Sequence, residues 1–184
     1  MMLQKDFSAL PGSIVTLKTP NKIKVRRILG IDPGLASTGF GILDYQNNRY
    51  KMICYGCIET KSADIHAHRL LTIYNRLLAV IKEFNPTEAG IETLYFAKNV
   101  SSAMGVAEAR GVITLCLAQN SIALGEYTPN QIKQAVTGTT KANKSIVQSA
   151  VKLILGLSTI PKPDHAADAI AAAITHIHST SLHS

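Results

Sequence analysis

The sequence contains no tryptophan, and aromatic residues make up only 5% of it. It also has no run of about 18 or more apolar residues, the length that a membrane-spanning helix needs. Its first residues lack the apolar core of about 7–15 residues that marks a secretory signal. Hydrophobic residues make up 46% and charged residues 17% of the 184 positions, as is typical of a globular domain. We therefore expect a folded cytoplasmic protein that does not cross a membrane.

Cysteine is also scarce, with three residues in the chain. Cys54 and Cys57 have the C-x-x-C spacing that binds zinc or carries redox chemistry in other proteins. Those functions need further ligands, or a helix N-terminus that lowers the pKa of a thiol. Here the pair lies in an alternating, strand-like run, where residues three apart point to opposite faces. We interpret the cysteines as packing residues.

Basic residues outnumber acidic ones, and the formal net charge is +7. The excess is concentrated in residues 1–30 and 93–163, whereas the rest of the chain is net acidic. An acidic centre beside basic segments suits a metal-using enzyme that acts on a polyanion. A solvated basic surface without function is the alternative interpretation.

The hydrophobic pattern indicates one domain at 24–180, preceded by an N-terminal extension at 1–23 and followed by a short tail at 181–184. Period-two patterns predict strands and longer periodic runs predict helices. The predicted strands are 27–32, 38–45, 50–60, 89–92 and 122–127. The predicted helices are 68–84, 101–119, a short helix from Pro129, 144–155 and 163–177. The order predicts an α/β fold with a mixed five-stranded sheet, three antiparallel strands and then two parallel ones, and helices on both faces.

Acidic residues stand at the ends of two predicted strands, Asp32 after the first and Glu92 after the fourth. If these strands are neighbours, the two carboxylates converge at one edge of the sheet. Asp168, near the start of the last helix, can join them, and hard oxygen ligands favour magnesium or manganese. His165 and Asp164 each share a helix face with Asp168, so spacing alone does not choose between them.

Several motifs in this order resemble the RuvC family of Holliday-junction resolvases over most of the chain, from about residue 27 to 178. The N-terminal motifs are Gly30-Ile31-Asp32-Pro33-Gly34, Thr38-Gly39-Phe40-Gly41 and the run 91–99 around Glu92. The later ones are Ala109-Arg110-Gly111, Gln131-Ile132-Lys133-Gln134, Ala142-Asn143-Lys144-Ser145, His165-Ala166-Ala167-Asp168-Ala169 and Ile174-Thr175-His176. A single such motif is weak evidence, whereas the ordered set is strong.

The resemblance implies a ribonuclease H-like fold and an endonuclease that resolves four-way DNA junctions by paired symmetric nicks. It implies Asp32, Glu92, His165 and Asp168 as metal ligands and catalytic groups. They would hold two magnesium ions, with manganese able to substitute. Hydrolysis of the DNA backbone would leave 5′-phosphate and 3′-hydroxyl ends. The family often has aspartate where this chain has His165, which leaves Asp164 as a further candidate.

The resemblance also implies how the chain binds its substrate and partners. Lys133, Lys141 and Lys144 flank the polar loop 137–140 and suit phosphate contacts beside the cut, and the resemblance supports Lys133 and Lys144 in this role; a solvated helix face is the alternative. Tyr95 matches an aromatic residue that stacks on unpaired junction bases in relatives, and Lys98 is a further candidate for DNA binding. The small-residue helix at 101–119 corresponds to the one through which relatives form homodimers, although such residues also allow tight packing on the sheet. A RuvA–RuvB branch-migration complex is implied as a partner.

Three other functions compete with this interpretation. Sugar kinases and actin-like ATPases share a similar Gly-Ile-Asp strand and turn, but they need two such domains to close on a nucleotide. An RNA-processing nuclease of the same fold is a nearer alternative. A catalytically silent junction-binding protein is the third, because His165 replaces an acid.

Overall fold

The structure, a computed structural model, describes residues 25–93 and 100–181, and the described side chains after the gap begin at Ala103. The elements follow the order predicted from the sequence. The strands are β1 (Arg26–Asp32), β2 (Ser37–Gln46), β3 (Arg49–Glu59), β4 (Glu88–Glu92) and β5 (Ala123–Tyr127). The helices are α1 (His66–Phe84), α2 (Val100–Gln119), α3 (Pro129–Thr137), α4 (Lys144–Ile154) and α5 (Asp164–Ser181). In the described ranges no helix is both long enough and apolar enough to cross a membrane.

The five strands form one sheet in the order β3-β2-β1-β4-β5. The first three strands are antiparallel, and β4 and β5 run parallel to β1. Asn47 and Asn48 join β2 to β3 with φ angles of 51° and 58°. Asparagine tolerates this left-handed conformation, which a tight two-residue hairpin requires. The predicted mixed sheet is therefore confirmed.

The register places the two strand-end acids at one edge of the sheet. In the parallel pair of β1 and β4, Ile31 lies opposite Ile91. Asp32 and Glu92 each follow by one residue, so both end their strands at the same level. The sequence prediction depended on β1 and β4 being neighbours, and the structure shows that they are.

Each face of the sheet packs against helices and has its own core. On one face, Leu29 and Ile31 pack with Ile73 of α1 and Ile113 of α2. The opposite face is covered by α3, α4 and α5, with a core that includes Ile28, Leu43, Ile132, Val147, Val151, Ile170 and Ile174. Burial of these apolar side chains on both faces is the main force that holds the layers together.

Helix α5 lies unusually close to the sheet because glycines stand beneath it. A side chain at Gly30 would collide with the backbone carbonyl of Ala169, and one at Gly90 would approach that of Ala172 to 2.6 Å. Since residues of a strand alternate between faces, Asp32 and Glu92, two residues further on, share the face of Gly30 and Gly90. The alanine-rich helix therefore lies directly over both acids.

Two helices are longer than the apolar pattern predicted. Helix α1 begins two residues earlier, at His66, and α5 continues past residue 177 to Ser181. The last turn of α5 is polar, so the apolar period ends before the helix does. Thr180 donates a hydrogen bond to the His176 carbonyl and accepts one from Arg26, and these contacts extend the helix.

The two cysteines of the C-x-x-C spacing lie in β3 as free, half-buried thiols. Burial raises the pKa of Cys54 and of Cys57, which disfavours the reactive thiolate. Their surroundings are those of packing residues.

Candidate metal centre

Asp32 is the most buried carboxylate of the candidate site, with 16% of its side chain exposed. It ends β1 directly beneath the first turn of α5. Burial is the main cause that raises the pKa of Asp32, and the charge of Asp168 raises it further, whereas the hydrogen bond with His165 opposes the shift.

The first turn of α5 brings two predicted ligands to Asp32. Nδ1 of His165 lies 2.7 Å from Oδ2 of Asp32. Gly39 on β2 allows this approach, because a side chain there would collide with the His165 carbonyl. One ligand atom from each of Asp32, His165 and Asp168 lies within 4.8 Å of the other two, which is close enough for one metal ion to contact all three.

Glu92 lies outside this group of three but interacts with it electrostatically. Burial raises the pKa of Glu92 to about 7, and the charges of Asp32 and Asp168 contribute to the same shift. Lys144 and Lys133 oppose it without cancelling it. Like charges that raise one another's pKa are stabilised when a cation lies between them.

The donor set fits a divalent metal. Three carboxylates and one imidazole lie at one end of the sheet, and the repulsion among the carboxylates falls when they bind a cation. Carboxylate oxygens suit magnesium and manganese, and an imidazole shifts the preference toward manganese.

Asp164 does not join the group, although the sequence left it as a candidate. Its Oδ1 lies 3.0 Å from Nζ of Lys162, and its Oδ2 lies 3.6 Å from Nζ of Lys144. Lys144 also lies 3.0 Å from Oδ2 of Asp168. This link between the lysine and the candidate ligands was not predicted from the sequence. The signal was present in the spacing of Asp164 and Asp168, which share one face of α5.

A cleft of about 230 Å³ opens beside the acids. Glu92 and Asp168 line it together with Lys133 of α3 and Lys144 of α4. Its apolar lining comes from Pro129, Ile132, Val147 and Ala171. The cleft therefore joins candidate metal ligands to two of the three lysines predicted to bind phosphate.

The remaining predicted binding residues are placed less directly. Lys141 is exposed in the turn before α4, and it is not part of the described lining of the cleft. Tyr95 and Lys98 lie outside the described residues. Their predicted contacts with DNA remain predictions.

A second polar cluster, the Glu88 cluster of Arg26, Glu88, Tyr127 and His176, lies toward the opposite end of α5. Arg26 donates two hydrogen bonds to Glu88, and Nε2 of His176 lies 3.0 Å from the same carboxylate. Nδ1 of His176 lies 2.9 Å from the Tyr127 hydroxyl. The cluster was not predicted because its members are far apart in the chain, and His176 is the one member that belongs to a quoted motif.

The sheet order and the acids at the adjoining ends of β1 and β4 together define the class of ribonuclease H-like nucleases. The family model for the crossover junction endodeoxyribonuclease RuvC matches residues 28–176. The chain therefore belongs to the RuvC family, whose nucleases are metal-dependent.

Individual relatives agree with the family match. A crossover junction endodeoxyribonuclease RuvC of Treponema denticola is 58% identical over 151 residues, which cover 82% of this chain and 85% of that protein. The Treponema pallidum protein of the same name is 50% identical over 177 residues, 96% of this chain and 86% of the relative. Among solved structures, T. thermophilus RuvC in complex with a Holliday junction substrate has a TM-score of 0.78 and 28% identity, covering 85% of this chain and 96% of that one.

Proposed function

We propose that this chain is a metal-dependent endonuclease that resolves four-way DNA junctions in recombination and repair by paired symmetric nicks. The observation that carries the proposal is the convergence of Asp32, His165 and Asp168 beside a cleft lined by Lys133 and Lys144. Carboxylates alone would repel a phosphate backbone. Cations at the carboxylates, together with the lysines, convert the cleft into a site for a scissile phosphate.

The proposed ligands are Asp32, Glu92, His165 and Asp168, and the proposed cofactor is magnesium, two ions per site, with manganese able to substitute. These residues would hold the cations, which when bound would supply activation of the attacking water and compensation of the charge that develops on the phosphate. The burial of Asp32 keeps this ligand in place beneath α5, and the close approach of α5 over Gly39 positions His165 beside it. Water attacks phosphorus, the bond to the 3′ oxygen breaks, and 5′-phosphate and 3′-hydroxyl ends remain.

The lysines around the cleft are the proposed contacts to the DNA backbone. Lys133 and Lys144 line the cleft itself, and Lys141 is exposed on the segment that leads into α4. Backbone contacts of this kind set affinity and its dependence on salt. Tyr95 and Lys98 complete the proposed DNA-binding set.

We also propose a homodimer that uses the outer face of α2. Met104 is 62% exposed and Leu115 is 55% exposed on this helix. Between them, Gly111 has no atom within 4 Å of the position where a side chain would begin. In contrast, Gly105 packs inward against Leu35. The small residues of α2 therefore serve both faces, and the outer ones leave room for a second helix.

The dimer is tested by Gly111→Arg, which places a large charged side chain in space that is open in the monomer. We expect a folded monomer instead of a dimer, as measured by size-exclusion chromatography with light scattering. Ser149→Arg, at an exposed position of α4, adds the same charge elsewhere and is the matched control. A dimer that persists in Gly111→Arg places the interface on another surface.

A junction has two symmetric strands to cut, so a dimer with two equivalent sites suits this substrate. The proposed place of action is the cytoplasm. The proposed partner is a RuvA–RuvB complex that moves the junction.

A nicking assay tests the proposed function. The purified chain is incubated with a synthetic four-way junction and with magnesium or manganese, and linear duplex DNA and an RNA–DNA hybrid serve as comparison substrates. We expect paired nicks in the junction that need metal, and slower cutting of both comparison substrates. Preferred cutting of the hybrid would instead favour an RNA-processing nuclease, and binding without cutting would favour a silent junction-binding protein.

A further inference from the structure

Lys144 lies between two carboxylates of α5. Its Nζ is 3.0 Å from Oδ2 of Asp168 and 3.6 Å from Oδ2 of Asp164. The lysine begins α4 directly after Asn143, whose side chain caps that helix. Asp164 and Asp168 are four residues apart on α5, so one ammonium group can contact both.

The contact with Asp168 competes with a metal ion. Asp168 belongs to the group of three ligands that converge with Asp32, and one of its oxygens is paired with Lys144. Partial burial lowers the pKa of Lys144, but the carboxylates of Asp168, Asp164 and Asp32 raise it more, so the group stays charged. A metal ion at Asp168 therefore has to displace this ammonium or share the carboxylate with it.

Asp164 offers Lys144 an alternative partner. Lys162, 3.0 Å away, is the main cause that lowers the pKa of Asp164, so this carboxylate is ionised at neutral pH. Asp164 is not among the three residues whose ligand atoms converge. Its position thus suits a group that acts on Lys144 and not on the metal.

We propose that Asp164 is a positioning residue that retains Lys144 when Asp168 binds a metal ion, and so weakens the competition of Lys144 for that site. The proposal rests on the proposed function, in which Asp168 is a ligand. Asp168 is the nearer of the two carboxylates to Lys144. If Asp164 is removed, Asp168 is the sole carboxylate paired with Lys144 among the described residues.

The test measures manganese binding to the full chain without DNA, with free manganese quantified by electron paramagnetic resonance. Asp164→Asn should weaken binding about two- to fivefold, the range expected when one exposed ion pair is lost. Lys144→Met should strengthen binding, because the competing ammonium is gone. In the Lys144→Met background, Asp164→Asn should lose most of its effect.

Two further variants separate this role from a general effect of charge. Lys162→Met removes the same charge as Lys144→Met but does not contact Asp168, so it should strengthen binding less. Asp164→Glu retains a carboxylate and should restore most of the affinity lost in Asp164→Asn. Equal effects of the two lysine variants would overturn the proposal, because Lys144 would then act through net charge alone.

The double variant separates the proposal from the proposed metal site. If Asp164→Asn weakens binding equally with and without Lys144, Asp164 acts as a ligand or by its charge, and the positioning role is wrong. If Asp168→Asn binds manganese as well as the wild type does, the metal site itself is wrong, and the inference fails with it.

Discussion

The two glutamates of β4 begin and end the same strand, yet their pKa values shift in opposite directions. The hydrogen bond from Arg26 is the main cause that lowers the pKa of Glu88, and His176 contributes. Glu92, four residues later on the same face, has a pKa raised to about 7 by burial and by the charges of Asp32 and Asp168.

The difference separates a structural end of the sheet from the end that carries the proposed metal site. In the Glu88 cluster each charge has a partner within the chain, so the ionised state contributes to stability. At the other end the acids face one another, with Lys144 and Lys133 as partial compensation. Local rules of charge pairing are broken where a protein binds something that completes the pairing. Four predictions test this comparison, from the largest expected effect to the smallest.

The first concerns the end that carries the proposed metal site. Asp32→Asn should reduce junction nicking by more than about a hundredfold, because a lost ligand costs at least as much as the loss of an outer-shell partner does. Junction binding should persist, since it depends on the lysines. Nicking rates and gel-shift affinities on the same junction check both statements. Near-normal nicking would remove Asp32 from the metal site.

The second concerns the structural end. Glu88→Gln should lower the free energy of unfolding by about 1–3 kcal/mol, because Arg26 and His176 lose a charged partner in a partly buried setting. Urea unfolding in metal-free buffer measures this change. Glu59→Gln, at an exposed strand end, is the matched control and should change stability by less than about 0.5 kcal/mol. Equal effects of the two variants would mean that Glu88 contributes no more to stability than the exposed Glu59 does.

The third prediction concerns how stability depends on pH at the end of the sheet that carries Glu92. The folded-state pKa of Glu92, about 7, lies above the ordinary value of 4.5. Its contribution to stability is therefore complete below pH 4.5 and is lost as the pH rises through 7. Glu92→Gln should thus become more stable than the wild type by about 1–3 kcal/mol across this range in metal-free buffer.

Unfolding curves of both proteins between pH 5 and 8 check this expectation. The difference in stability between the two proteins isolates the effect of Glu92 from that of His176. The pKa of His176 is lowered mainly by burial, so its contribution to stability is lost as the pH falls. Manganese should reduce the difference, because a cation compensates the ionised carboxylate. A stability difference that does not change with pH would show that folding does not raise the pKa of Glu92.

Much of this arrangement was predictable from the sequence because it is periodic or local. Apolar runs ending in Asp32 and Glu92 predicted the strands that carry these acids. The converging acids followed once β1 and β4 were taken as neighbours. The ordered motifs predicted the family, which the match over residues 28–176 confirms.

The rest depends on tertiary contacts that spacing does not encode. Glu88 and His176 are 88 residues apart, and only the register of β4 under α5 brings them together. Whether His165 or Asp164 faces Asp32 depends on the rotation of α5, which the close packing over Gly39 sets. The apolar period also predicted too early an end for α5, because the last turn of this helix is held by polar contacts.

The last prediction concerns His165, where the chain has an imidazole beside Asp32. His165→Asp adds a negative charge and an oxygen ligand, both of which favour magnesium. One added charge about 4 Å from a divalent cation is worth about 2 kcal/mol in a water-like setting, which corresponds to about a thirtyfold lower magnesium requirement. The same change removes the contact of Nδ1 with Asp32, at 2.7 Å, and places two carboxylates together. The metal-free variant should therefore melt at a lower temperature than the wild type, and magnesium should raise its melting temperature more.

Magnesium titrations of nicking and of thermal melting measure both effects, with His178→Asp, at the structural end of α5, as the control. A magnesium requirement identical to that of the wild type would show that position 165 does not bind the metal, and the difference between the two ends of α5 would then rest on Asp32, Glu92 and Asp168 alone.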